Sequence, residues 1–203
     1  MKKLFMIFIC SFFLNSVAFA QSWEATAARI AKSIVRVETT GRICTGFSIN
    51  KTQGNILTAH HCLEDDTSAV VPFTINGKPS YVVQGYPEWD LAVVWSVDRI
   101  SGLKPRLKPI RQGLPIAAMG FAYTLPTLTL TQGVIGAPRA FFLFTDPFML
   151  VSFHYISGMS GGPVFDREGR IVSIVQKADD LNGIGFGRPL VEIMELTRRY
   201  WKE

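Results

Sequence analysis

Short runs of apolar and β-branched residues recur from residue 34 to residue 187, with Gly, Asn or Pro between them. Runs of this length between turn residues are typical of β-strands, and the lack of helical patterns between them argues against a parallel α/β sheet. The pattern predicts six strands at residues 34–38, 46–49, 55–58, 69–75, 81–85 and 91–95. It predicts seven more at residues 116–120, 128–135, 140–144, 150–153, 163–166, 171–176 and 184–187.

Two segments have helical periodicity instead. Residues 23–33 carry alanines and other helix formers, and residues 190–201 place apolar side chains on one face. Asn76-Gly77 is the clearest hairpin turn, because both residues tolerate positive φ. The order of elements predicts an all-β fold of two tandem six-stranded antiparallel barrels, with a short N-terminal helix and a C-terminal helix.

The N-terminus has the pattern of a secretory signal peptide. Lys2 and Lys3 precede an apolar run over residues 4–14, and the segment closes on Ala18-Phe19-Ala20. The apolar run is too short for a transmembrane anchor, which needs about 20 apolar residues. We therefore expect cleavage after Ala20, export to the periplasm or the medium, and no membrane anchor in the mature protein.

Charge and composition narrow the classes of protein to which the chain can belong. The formal net charge is +5 at pH 7, and 48% of the residues are hydrophobic, which is ample for a buried core. The basic residues between 104 and 111 alternate with prolines, as in a solvated linker, so we expect no nucleic-acid binding. Residues 21–203 are predicted to form one domain, with the first barrel over about 21–105 and the second over about 106–203.

Two cysteines remain once the signal peptide is removed. Cys44 and Cys62 would stand in an oxidising compartment, where an even number of cysteines favours a disulfide. Two buried thiols are the alternative, since the sequence does not show whether the two side chains approach each other.

A serine lies in a turn dense in glycine, over residues 158–163. In such a turn the Ser160 hydroxyl can project away from the backbone while the Gly158 and Ser160 amides form an oxyanion hole. The same string matches the nucleophile turn of α/β hydrolases, but their histidine follows the serine, and no histidine follows Ser160. The order that remains is histidine, aspartate, serine.

The segment from Leu57 to Cys62 reads Leu-Thr-Ala-His-His-Cys and resembles the Leu-Thr-Ala-Ala-His-Cys segment of trypsin-like serine peptidases. The resemblance implies that His61 is the catalytic base, with His60 its neighbour in the place of a small residue. The segment that begins at Asp90 resembles the strand that carries the triad aspartate. With Ser160 as nucleophile, the chain is identified as a chymotrypsin-fold peptidase, and the resemblance implies that Cys44 bridges to Cys62.

Three further segments, at residues 33–37, 169–174 and 183–189, resemble the bacterial Deg, or high-temperature-requirement, branch of that family. Met159 replaces the aspartate that digestive enzymes pair with a new N-terminus, and no segment for such activation is evident. The chain ends soon after its closing helix, so we expect no PDZ domain. The resemblance places the substrate pocket at His154, Gln176 and Gly185; no acid lies there, which disfavours cleavage after Lys or Arg and favours small or medium apolar side chains.

The resulting hypothesis is a serine endopeptidase that acts on polypeptides without a metal or another cofactor. A zinc site at His60, His61 and the two cysteines is a weaker interpretation of the same residues. A catalytically silent binding module with a peptidase fold is the main alternative function, and an esterase that uses Ser160 is another. The oligomeric state cannot be predicted from the sequence.

Overall fold

A computed structural model describes residues 22–123, 125, 127–140, 148–179 and 184–201. It begins with the predicted N-terminal helix, α1 (Trp23–Ile30), whose first turn is capped by the Ser22 hydroxyl accepting the Ala25 N–H at 3.2 Å. Residues Ala31–Ser33 continue as a single 3-10 turn. Trp23 lies edge-on to the ring of Phe165, which attaches the helix to the second half of the fold. The signal peptide prediction falls outside the described residues.

Seven antiparallel strands form the first sheet. Their order across the sheet is β5-β4-β1-β2-β3-β7-β6. β3 and β7 have the bounds predicted from the sequence, and they pair directly with each other. The candidate active site lies beside them. The bounds are β1 (Ile34–Thr39), β2 (Arg42–Asn50), β3 (Asn55–Thr58), β4 (Thr74–Ile75), β5 (Lys78–Pro79), β6 (Tyr81–Tyr86) and β7 (Leu91–Trp95).

The predicted hairpin turn at Asn76-Gly77 is confirmed. Asn76 and Gly77 have φ values of 50° and 77° and join β4 to β5, which is the conformation that favours this pair of residues.

The remaining six strands close into a barrel, in the order β10-β13-β12-β11-β8-β9. The predicted all-β architecture is confirmed: one closed six-stranded barrel follows one curved sheet. Most of the strand predicted at residues 140–144 lies outside the described residues. The bounds are β8 (Pro115–Phe121), β9 (Leu128–Ala140), β10 (Phe148–Val151), β11 (Pro163–Phe165), β12 (Ile171–Asp179) and β13 (Ile184–Pro189).

One apolar cluster joins the sheet to the barrel. It combines Phe47 and Leu91 of the sheet with Met119, Phe165 and Ile174 of the barrel, all of them buried. Each such side chain contributes roughly 1.5–3 kcal/mol of burial free energy. The shared core therefore fixes the loops at the ends of β3, β7 and β10 relative to one another.

The predicted closing helix is also present. Helix α2 (Leu190–Thr197) lays Leu190 and Ile193 on the shared core, and Arg198–Tyr200 add a 3-10 turn. Within the described ranges, no helix has the length and apolar character that crossing a bilayer requires.

A buried carboxylate fixes the turn between β11 and β12. Asp166 is 1% exposed and pairs with Arg106 and Arg170. Burial raises the pKa of Asp166, but the Arg170 backbone N–H, 2.9 Å from its Oδ1, and the two guanidinium groups outweigh burial, so this pKa lies below its usual value. The carboxylate stays ionised in the folded protein.

Candidate active site

His61 and Asp90 form a hydrogen-bonded pair at the edge of the first sheet. His61 lies in the 3-10 turn after β3, and Asp90 immediately precedes β7, the neighbour of β3. His61 Nδ1 lies 2.9 Å from Asp90 Oδ2 and 3.0 Å from Oδ1, and the His61 backbone N–H donates to Oδ1 at 2.9 Å. A carboxylate accepts hydrogen bonds, so Nδ1 carries the proton and Nε2 keeps its lone pair.

Ser160 lies in a turn whose shape depends on two glycines. Gly158 and Gly161 have φ values of 99° and 80°, and a Cβ on either would overlap a backbone carbonyl oxygen. Thr45 of β2 anchors this turn: its N–H donates to the Ser160 carbonyl at 2.9 Å and its hydroxyl to the Gly158 carbonyl at 2.8 Å. The first sheet thus holds the serine turn of the barrel.

The amides predicted to form the oxyanion hole belong to two buried residues, Gly158 and Ser160. Among the described residues, neither the Gly158 N–H nor the Ser160 N–H donates to a protein acceptor. Two such donors in one tight turn suit a developing oxyanion, because they cost no reorganisation when the charge appears.

The Ser160 hydroxyl bonds to Tyr155. Ser160 Oγ and the Tyr155 phenol oxygen are 2.8 Å apart, and Ser160 is 5% exposed. Within the described residues the serine makes this hydrogen bond and none with the His61 ring. Sequence reasoning missed Tyr155, and no motif signals it, because it lies in the irregular segment before the glycine turn.

His60 faces away from the pair. It is buried, its Nδ1 lies 2.9 Å from Glu64 Oε1, and its Nε2 packs on Gly85, where a Cβ would come within 2.8 Å. His60 thus bonds to a carboxylate other than Asp90, and in the described part of the chain no hydrogen bond joins it to Ser160.

The three residues predicted for the substrate pocket have different surroundings. His154 is exposed, whereas Gly185 is buried against Phe153, whose ring would lie 3.3 Å from an added Cβ. Gln176 is also buried and directs its amide to the backbone of Trp89 and Asp90. No hydrogen bond joins the three predicted residues in the described part of the chain.

A cleft of about 340 Å³ lies beside the His61–Asp90 pair. It opens between the sheet and the barrel, so a bound chain would contact both halves. Its walls are formed by His60, His61, Glu64, Pro87, Asp90, Gln176 and Lys177.

The expected disulfide is present. Cys44 and Cys62 are joined with their Cα atoms 5.9 Å apart. The donor atoms of Cys44, His61 and Cys62 lie within 4.8 Å of one another, but a zinc site requires thiolates and both sulfurs are oxidised. The Cys62 sulfur instead lies 3.8 Å from His61 Nε2 and 3.7 Å from the Ser160 carbonyl oxygen, between the two halves of the site.

Comparison with solved structures supports the same architecture. The fold is similar to the Rv3671c protease from M. tuberculosis in its active form, at 20% identity over 88% of this chain and 85% of that chain, with a TM-score of 0.74. The inactive form of the same protease matches at 20% identity over 87% of this chain and 93% of that chain, with a TM-score of 0.72. The serine endoprotease from Yersinia pestis matches at 22% identity over 89% of this chain and 66% of that chain, with a TM-score of 0.73.

No curated protein matches the sequence significantly. The family model for the trypsin-like peptidase domain matches residues 44–174, which span most of the sheet, the serine turn, four of the six barrel strands and the start of β12. The chain belongs to the trypsin-like peptidase family.

Proposed function

We propose that this protein is a serine endopeptidase with His61, Asp90 and Ser160 as its catalytic triad. The observation that carries the proposal is the His61–Asp90 pair at 2.9 Å, which leaves Nε2 as a base; a serine in a glycine turn supplies the third group. These groups have the roles and the chain order of a serine-peptidase triad.

In the proposed reaction, His61 Nε2 takes the Ser160 proton as the serine oxygen attacks a peptide carbonyl. Asp90 holds the Nδ1–H and stabilises the imidazolium. The Gly158 and Ser160 amides bind the oxyanion. His61 then gives its proton to the leaving amine, which releases an acyl-enzyme, and water activated by His61 hydrolyses the ester and restores Ser160.

Before attack, the Ser160 hydroxyl must exchange its Tyr155 partner for His61. A single neutral hydrogen bond has a net value of about 0.5–1.5 kcal/mol, so this exchange is a small part of the barrier. Tyr155 therefore holds the serine in a resting orientation that a substrate readily displaces.

Polypeptides are the proposed substrates. The predicted pocket at His154, Gln176 and Gly185 carries no acid, and Phe153 fills the space beside Gly185, which supports small or medium apolar side chains before the cleaved bond. The disulfide and the N-terminal leader pattern support action in the periplasm or outside the cell.

A catalytically silent binding module is the second candidate. The contact that favours it is the hydrogen bond of Ser160 to Tyr155 in place of His61. Such a module would bind peptides in the cleft without turning them over.

Digestion of an unbiased peptide mixture separates the two candidates. Mature wild-type protein should produce new peptide ends that mass spectrometry identifies, whereas Ser160→Ala and His61→Ala should produce none and keep the wild-type circular dichroism spectrum. Equal digestion by Ser160→Ala would contradict the triad. Retention of intact peptides by well-folded wild type, with no cleavage, would establish the silent module.

A further inference from the structure

The turn that carries Asp90 has a backbone conformation that needs support. Pro87–Trp89 form one 3-10 turn, and Asp90 closes it with φ 49° and ψ 47°, in the left-handed region. A residue with a side chain is uncommon there and is strained relative to glycine. The Asp90 N–H donates to the Pro87 carbonyl at 3.0 Å, while the carbonyls of Trp89 and Asp90 point out of the turn and are bonded by the barrel.

Gln176 bonds both of these carbonyls. Its Nε2 donates to the Trp89 oxygen at 2.8 Å and to the Asp90 oxygen at 2.7 Å. The side chain is 2% exposed, and its Oε1 has no hydrogen-bond partner among the described residues. Burying an unpaired carbonyl is costly. The orientation of the Gln176 amide thus allows Nε2 to donate two hydrogen bonds and leaves Oε1 without a partner among the described residues.

Arg188 holds the same turn from the neighbouring strand. Its Nε donates to the Trp89 carbonyl at 3.2 Å, and its guanidinium lies 5.1 Å from the centre of the Trp89 ring and 4.9 Å from that of Phe148. A planar guanidinium between two rings has little freedom, which makes it a rigid donor. Arg188 pairs with Ile174 in the ladder between β12 and β13, two positions before Gln176.

The part of β12 that reaches Asp90 also holds the serine turn. Val175 precedes Gln176, and its carbonyl accepts the Gly161 N–H at 2.7 Å. Gly161 follows Ser160. Two consecutive residues of β12 therefore bind the turn of the proposed nucleophile and the turn of the proposed triad aspartate.

We infer that Gln176, assisted by Arg188, is a positioning residue that locks the Asp90 turn to the barrel and so sets the carboxylate against His61. The inference rests on the triad proposed above. It gives Gln176, which also lines the cleft, a role that acts through the backbone of Trp89 and Asp90.

Nuclear magnetic resonance tests this role without requiring turnover. The chain has three histidines, so protein labelled with ¹⁵N-histidine gives few signals, and His61→Ala identifies the His61 Nδ1 proton. In Gln176→Met, which keeps the length of the side chain and removes its donors, we expect this proton to exchange with water at least tenfold faster. The matched control is Gln132→Met, at an exposed glutamine of the same barrel, which should leave the proton unchanged.

Wild-type protein supplies a second measurement that does not depend on the folding of a variant. The side-chain NH₂ protons of Gln176 should exchange much more slowly with water than those of Gln132, because Gln176 is buried and donates to two backbone carbonyls. Equal exchange at the two glutamines would overturn the inference, as would a His61 Nδ1 proton in folded Gln176→Met that is as protected as in the wild type.

Labelling with a fluorophosphonate then tests whether the position of Asp90 affects the reactivity of Ser160. Gln176→Met should react about 10- to 100-fold more slowly at Ser160, the loss expected from a small displacement of a catalytic group. Its melting temperature should stay within about 4 °C of wild type, since removal of the unpaired Oε1 offsets part of the lost bonding. A large drop in melting temperature with an unchanged Nδ1 proton would mean that Gln176 is merely structural.

Different results would contradict the proposed peptidase activity and the proposed positioning role of Gln176. Wild-type protein that does not label at Ser160 contradicts the peptidase, while the exchange measurements on His61 and Gln176 still decide the positioning role. Wild-type protein that labels, together with unchanged proton exchange in Gln176→Met, contradicts the positioning role alone.

Discussion

Removal of the Cys44–Cys62 disulfide should lower the free energy of unfolding by about 3 kcal/mol. The two residues are 18 positions apart, and closure of a loop of that length in the unfolded chain has an entropic cost of about 3 kcal/mol at 25 °C. Both cysteines are almost fully buried, so replacement by alanine adds a packing loss to the entropic effect. The entropic part alone should lower the melting temperature by about 6–12 °C in a domain of this size.

Thermal unfolding by circular dichroism measures this effect in the mature protein with and without reductant. The double variant Cys44→Ala/Cys62→Ala is the matched control, because it should melt at the same temperature in both conditions. Reduction should also slow turnover well below the melting temperature, since the Cys62 sulfur lies within 4 Å of both His61 Nε2 and the Ser160 carbonyl oxygen.

A melting temperature that reduction lowers by less than about 2 °C, with complete reduction shown by thiol alkylation, would refute the reasoning. It would mean that the unfolded chain is already restricted between the two cysteines.

Three further predictions concern single residues. Tyr155→Phe should speed fluorophosphonate labelling about 2- to 10-fold, because the serine loses its competing hydrogen bond; slower labelling would give the phenol a catalytic role. His61→Ala should abolish hydrolysis of a peptide substrate while His60→Ala reduces it less, and the reverse ranking would make His60 the base. Asp166 has a lowered pKa in the folded protein, so its stabilisation is complete above about pH 4, the unfolded value, and is lost as pH falls through the folded value. Acid unfolding of Asp166→Asn should consequently depend less on pH below about pH 4, and an unchanged slope would contradict this assignment.

Local sequence patterns were sufficient for the strands beside the site, whereas the roles of His61, Asp90 and Ser160 stay predictions. β3 and β7 were predicted with the bounds that the structure has, because each is a short apolar run between turn residues. The strand predicted at residues 69–75 was largely wrong, since β4 covers only Thr74–Ile75. Pro72 lies in that run without an N–H to donate, and a strand of this length needs a ladder of such donors.

The contacts that orient the proposed triad could not be predicted. Gln176 lies 86 positions from Asp90 and Arg188 lies 99 from Trp89. Contacts over such separations exist only once the sheet and the barrel have packed on their shared core, so no local pattern encodes them. The same holds for Tyr155, whose partner depends on how an irregular segment folds back on the glycine turn.

The central claim, an activated Ser160 beside a working oxyanion hole, is tested most directly by reaction of the mature protein with a fluorophosphonate probe. The labelled peptide is mapped by mass spectrometry, and Ser160→Ala is the control. We expect one modification, at Ser160, which is absent in Ser160→Ala and strongly reduced in His61→Ala. No labelling of well-folded wild type, or the same labelling in Ser160→Ala, would contradict it.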